Sequence, residues 1–92
     1  MIARHLRIHG RVQGVFYRAW AMRAAREISV SGWVRNRKDG TVEAFVQGDA
    51  AAVGRFVEQA REGSPAAQVS HIETSPAEPE AGLEGFTKKP TV

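Results

Sequence analysis

The chain has no cysteine. That excludes a disulfide framework, a thiolate nucleophile and any cysteine-ligated zinc or iron–sulfur centre. It is also what a reducing cytosol permits. Long apolar runs are missing too, since nothing approaches the roughly 18 consecutive apolar residues that a membrane helix needs. At the N-terminus, Met1-Ile2-Ala3-Arg4-His5 carries charge where a signal peptide needs its apolar segment. The expectation is a cytoplasmic, unprocessed protein with no membrane partner. No repeat of roughly 20–50 residues is present, which dismisses a solenoid. Three phosphate and nucleotide signatures fail as well. There is no G-x-G-x-x-G, and between Gly10 and Gly14 lie three residues where a P-loop needs four, with Val15 following instead of Lys. The run Thr41-Val42-Glu43-Ala44-Phe45 lacks the aromatic signature of an RNA-recognition strand, so no nucleic-acid partner is expected.

What is present fits one small folded domain over residues 1–92. Hydrophobic residues make up 42% and charged residues 25% of the chain, too much apolar content for a disordered state. The net charge of +3 is unevenly spread. Residues 1–46 hold nine Lys and Arg against three acids, whereas residues 47–92 hold four against seven. A basic half of this kind suits an anionic partner, and equally a solvated surface.

Periodicity orders the elements. Ile2, Leu6 and Ile8 alternate with His5, Arg7 and His9, a strand with one buried face, and Gly10 and Gly14 punctuate a loop. From Tyr17 to Ser29 the spacing of Tyr17, Trp20, Ala24, Ala25 and Ile28 is helical. Val30–Arg37 reads as a second strand, Asp39-Gly40 as a hairpin turn, and Thr41–Gln47 as a third strand with Val42, Ala44 and Val46 on one face. Asp49 caps a second helix whose stripe is Val53, Phe56, Val57 and Ala60, stopped by Gly63-Ser64-Pro65. Ala67–Thr74 is a fourth strand, where the three-residue spacing of Val69 and Ile72 predicts a bulge. Ser75–Gly85, with two Pro and two Gly, reads as a loop, and Phe86–Lys89 as a short strand that Pro90 confines to an edge. This order is that of an α+β ferredoxin-like split βαβ sandwich, with an antiparallel sheet of four or five strands and two helices on one face.

His5 and His9 have a spacing that chelates a metal on a helix. On a strand it separates them by about 13 Å, at about 3.3 Å per residue. With no Glu neighbour or third ligand in view, they read as solvent-facing strand histidines, as does His71, and no metal site is expected. The segment Gly10–Arg18 offers more. It joins the first strand to the first helix, where backbone N–H groups lack intrahelical partners and can converge on an anion. Arg18 stands in the first helical turn, where the helix dipole disfavours a cation unless an anion lies between them. Asn36 ends the second strand, which in a split βαβ unit runs parallel to the first, so the two strand ends share one sheet edge. Residue chemistry alone leaves two readings open: an anion site, or a surface Arg after a glycine turn and an ordinary turn Asn.

Both stretches resemble the two signatures of the acylphosphatase family. Gly10, Val12, Gln13, Gly14, Val15 and Arg18 match the first. Gly32, Trp33, Val34, Asn36, Gly40, Val42 and Gly48 match the second, and the resemblance extends over residues 4–89. It implies hydrolysis of the carboxyl–phosphate bond of a small-molecule acyl phosphate, by a monomer without a cofactor or metal. It also implies that the backbone of Gly14, Val15, Phe16, Tyr17 and Arg18 cradles the phosphate, that Arg18 binds it, and that Asn36 orients the attacking water. Tyr17 stands where the family more often has Phe, and the Thr87-Lys88-Lys89-Pro90 ending departs from the family's alternating apolar close. The rival class is a non-catalytic module that holds a phosphate without turnover.

Overall fold

A computed structural model describes residues 1–92. The chain runs β1 (Ile2–Arg11), α1 (Tyr17–Ile28), β2 (Ser31–Asn36), β3 (Val42–Gly48), α2 (Ala50–Ala60), β4 (Gln68–Ala77) and β5 (Phe86–Lys88). The strands form one sheet in the order β4-β1-β3-β2-β5. β3 lies antiparallel between β1 and β2, from Ile2 opposite Gly48 on one side to Asn36 opposite Val42 on the other. This is the expected ferredoxin-like arrangement, with one correction. β5 pairs parallel with β2, so the sheet is mixed rather than wholly antiparallel. The connection after β4 crosses the sheet to its far edge, and a strand arriving there from the same end as β2 runs parallel to it.

Alternation sorts the side chains. Leu6, Ile8, Val34, Val42, Ala44 and Val46 face the helices and join Tyr17, Ala21, Ala24, Ala25, Ile28, Val53, Phe56 and Ala60 in one buried core. Asp49 caps α2, its carboxylate accepting the Ala51 N–H at 3.2 Å. The opposite face of the sheet is not bare. Ala3, Trp33 and Phe45 form a second apolar cluster under Ala77 and Leu83. The loop bearing Leu83 is pinned by Gln47, which donates to the Glu80 carbonyl at 3.0 Å and accepts the Glu80 N–H at 2.7 Å.

β4 continues to Ala77, beyond the expected Thr74, because Ser75 and Pro76 pair with His5 and Arg4. The proline is tolerated there because β4 is an edge strand. The bulge lies where the spacing of Val69 and Ile72 puts it, with the β1–β4 register shifting between His9 and Gly10. Gly10, expected in a loop, is part of β1 with φ 122°, and a Cβ there would stand 2.2 Å from the Gln68 carbonyl oxygen. The C-terminus extends the β5 edge: the Lys89 N–H donates to the Val34 carbonyl at 2.9 Å, and Lys38 N–H to the Val92 carbonyl at 2.7 Å.

The histidine expectation needs correcting. His5 has a Glu neighbour, because β3 brings Glu43 beside it on the helix-free face. Glu43 is buried and also accepts from Arg35 Nε at 2.7 Å and Arg37 Nη1 at 2.8 Å. Burial alone would push its carboxyl up, but the hydrogen bonds from Arg35, His5 and Arg37 outweigh it and hold the pKa down at about 2. A depressed folded-state pKa contributes stability that is complete above the ordinary value of 4.5 and is lost as pH falls toward about 2. Glu43→Gln is therefore expected to cost about 2–3 kcal/mol at pH 7. It should also flatten the acid limb of the stability profile between those two pH values. Urea unfolding from pH 7 to pH 2 checks this, and parallel profiles for the two proteins would refute it.

Candidate active site

The site is built where β1 and β2 end. Because both strands pair with β3 in the same sense, their C-terminal ends lie on one edge of the sheet, and β1 passes directly into the start of α1. Asn36 shares the parity of Val34, so it is set on the helix side of β2, while Arg35 and Arg37 turn to the Glu43 network on the other side. Arg18, in the first turn of α1, and Asn36 accordingly line the same open cleft of about 730 Å³, together with Gly14, Phe16 and Tyr17. The Asn36 Oδ1 is buried and accepts no hydrogen bond from the protein.

The β1–α1 loop has the geometry of a backbone cradle. Gly14 takes φ 74°, a conformation that glycine adopts without strain, and Phe16 follows at φ 63° as the residue capping α1. No side chain caps this helix, and its first turn holds no acid. The N–H groups of Gly14, Val15 and Phe16 are taken by no other loop or side-chain group, and those of Tyr17 and Arg18 open a helix. Arg18 forms no ion pair within the chain, although its cation stands at the positive end of the helix dipole. An anion in the cleft would meet a cation, a helix N-terminus and unpaired N–H donors together.

The five expected loop residues divide by role. Gly14, Phe16, Tyr17 and Arg18 line the cleft, and Phe16 is 83% exposed. Val15 does not line it: its side chain is in the core, and its carbonyl accepts from the buried Ser64 Oγ at 2.6 Å. Tyr17 is also a core residue. Its hydroxyl donates to the Ala60 carbonyl at 2.6 Å, and burial pushes its phenol far above the ordinary range, so it transfers no proton near neutral pH. Arg23 and Arg26, outside the apolar stripe of α1, also line the cleft, and β5 adds Lys88. Lys88 was illegible because it reaches the cleft through the parallel β2–β5 pairing.

Gln13 is the other unrecognised part. Its Nε2 donates to the carbonyls of Arg37 at 2.7 Å and Thr41 at 2.8 Å, tying the cradle loop to the hairpin that follows Asn36. The motif flagged this position, but a glutamine in a loop carries no sign of which carbonyls it spans.

The family model described as Acylphosphatase matches residues 4–88. The chain belongs to the acylphosphatase family. It is 53% identical over 91 residues to an acylphosphatase of Acidovorax sp. (strain JS42), covering 99% of this chain and 93% of that one. A relative of the same name from Azoarcus sp. (strain BH72) is 56% identical, with 99% and 92% covered. Among solved structures, the acylphosphatase from Bacillus subtilis superposes with a TM-score of 0.92 at 34% identity, covering 97% of this chain and 99% of that chain.

The Gln13 bridge has a direct consequence. Gln13→Glu keeps the size but loses both N–H donors, leaving the Arg37 and Thr41 carbonyls without a donor from the loop. Binding of inorganic phosphate is expected to weaken about tenfold, with about 1–2 kcal/mol lost in stability. Calorimetric titration with phosphate and urea unfolding measure the two effects, and unchanged phosphate affinity would show that the bridge does not organise the cradle.

Proposed function

We propose that this chain, acting as a single domain over residues 1–92, hydrolyses the carboxyl–phosphate bond of acyl phosphates, with Arg18 and the backbone of the Gly14–Arg18 loop holding the phosphoryl group and Asn36 orienting the attacking water. Membership of the family supplies the reaction class, a hydrolase acting on an acid anhydride. The convergence of an unpaired Arg18, the cradle loop and the Asn36 side chain on one cleft supports the division of roles.

The chemistry asks little of the protein. Water attacks phosphorus, the bond from phosphorus to the acyl oxygen breaks, and a carboxylate leaves with that electron pair. A carboxylate of pKa about 4 departs without a general acid. Phosphoryl transfer then needs in-line positioning and neutralisation of the phosphoryl oxygens. Arg18 offers its planar fork for bidentate contact, and the loop N–H groups add fixed dipoles aimed at the same oxygens. The Asn36 amide holds the water by a hydrogen bond that fixes its direction, leaving an oxygen lone pair for phosphorus. A neutral amide takes no proton, so the water's proton passes to a phosphoryl oxygen of the substrate. In this reading no metal or cofactor takes part, and the enzyme is a monomer acting on a small molecule. Val12, Met22 and the exposed Phe16 give the cleft an apolar side for the acyl chain.

The two side chains should fail differently. Arg18→Ala is expected to weaken phosphate binding and turnover together, because its contacts hold ground state and transition state alike, and Arg18→Lys should restore little. Asn36→Ala should leave phosphate inhibition nearly unchanged while turnover falls about 10²-fold. Hydrolysis of a synthetic acyl phosphate, with the phosphate inhibition constant measured alongside, separates these patterns. An Asn36→Ala enzyme that lost phosphate affinity but turned over normally at saturation would assign Asn36 to binding instead. Intact protein that binds phosphate and hydrolyses nothing would establish the binding-module alternative.

Chelation gives an independent check. Rates in EDTA are expected to match those without it, and loss of activity that returns with magnesium, in protein that circular dichroism shows still folded, would overturn the metal-free mechanism.

A further inference from the structure

The helix-free face of the sheet holds a cluster unrelated to the phosphate cleft. At its edge, His9 of β1 lies directly opposite His71 of β4, their rings stacked at 4.2 Å and 8°. Glu73, two residues further along β4, reaches His9 Nε2 with its Oε1 at 2.6 Å. One ligand atom from each of the three lies within 4.8 Å of the others. The bulge creates this grouping. In the register of Gly10 with Val69 and Arg11 with Gln68, His9 would face Ser70 and His71 would turn toward the helices. The one-residue shift sends His71 to the open face instead, and the close approach of Gly10 to Gln68 keeps the bulge where it is.

We propose that His9, His71 and Glu73 form a binding site for a divalent transition-metal ion of the zinc class. Two imidazoles and one carboxylate make the donor set such ions favour, whereas magnesium and calcium prefer all-oxygen surroundings. Ligand distances of about 2.0–2.2 Å require donor atoms roughly 3–3.5 Å apart. Sharing one ion requires the stacked rings to turn about their side-chain torsions until one nitrogen of each converges with the Glu73 carboxylate, at a partly exposed edge and with no change in strand register. The hydrogen bond between His9 and Glu73 opens, His9 binds through an unprotonated ring nitrogen while its other nitrogen keeps the proton, and water completes the coordination. Arg7, opposite Glu73 in the ladder, is the nearby cation that opposes the ion. His5 is committed to Glu43 and lies outside the site. The ion would clamp edge strand β4 to β1 and take no part in hydrolysis, so this inference stands or falls independently of the proposed mechanism.

Calorimetric titration of the metal-free full chain with zinc chloride is expected to give one ion per chain. Affinity should fall at least tenfold in each of His9→Gln, His71→Gln and Glu73→Gln and stay unchanged in His5→Gln. Millimolar magnesium should not compete. Zinc should raise the melting temperature of the parent protein and leave that of His71→Gln unmoved, because only the intact site binds the folded state selectively. Imidazole nitrogen NMR of the parent protein guards against variants that misfold: zinc should shift the His9 and His71 ring signals and spare those of His5. Absence of stoichiometric binding, equal loss in His5→Gln, or equal competition by magnesium would overturn the proposal.

Discussion

Everything at the cleft depends on β3 lying antiparallel between β1 and β2. A strand so placed forces its two neighbours to run the same way, so their C-terminal ends lie side by side. One end leads into the N-terminus of α1 and the other carries Asn36. Without that constraint the cradle loop and the asparagine would sit at opposite ends of the sheet. The hydrogen bonds of Gln13 to the Arg37 and Thr41 carbonyls turn this coarse proximity into a fixed spacing.

The two faces of the sheet have separate tasks. The helix side is an apolar core whose strand residues end at Asn36, so the side chain offered to the cleft continues the row of Val34. The other side is a polar and aromatic surface organised around Glu43, with Arg35 and Arg37 flanking Asn36 in sequence yet turned away from it. Their charges are spent on Glu43. Arg18, Arg23, Arg26 and Lys88 supply the positive lining of the cleft.

The loop economises on side chains. Val15 and Tyr17 bury theirs and are tied through Ser64 to the turn after α2 and through Ala60 to its last residue, which leaves backbone N–H groups as the loop's contribution. A cradle made of main chain needs anchoring from behind, and those two buried hydrogen bonds anchor it in a dry environment where breaking them is costly.

Much of the fold could be read from period and punctuation, because a half-buried strand or helix must repeat its apolar residues at the spacing of its own backbone. The helix stripes, the Asp49 cap, the Asp39-Gly40 hairpin and the β4 bulge all followed from neighbours in the chain. The placement of Arg18 and Asn36 on one sheet edge was legible for the same reason, as each stands at a marked end of such an element, whereas the roles expected of them came from the family resemblance. Contacts between distant segments were not. Glu43 beside His5, His71 stacked on His9, Lys88 in the cleft and Gln13 spanning two carbonyls all depend on strand register and on which edge receives the last strand. Register is a property of the assembled sheet: a shift of one residue exchanges every side chain between its faces, and no local pattern records where the pairing begins.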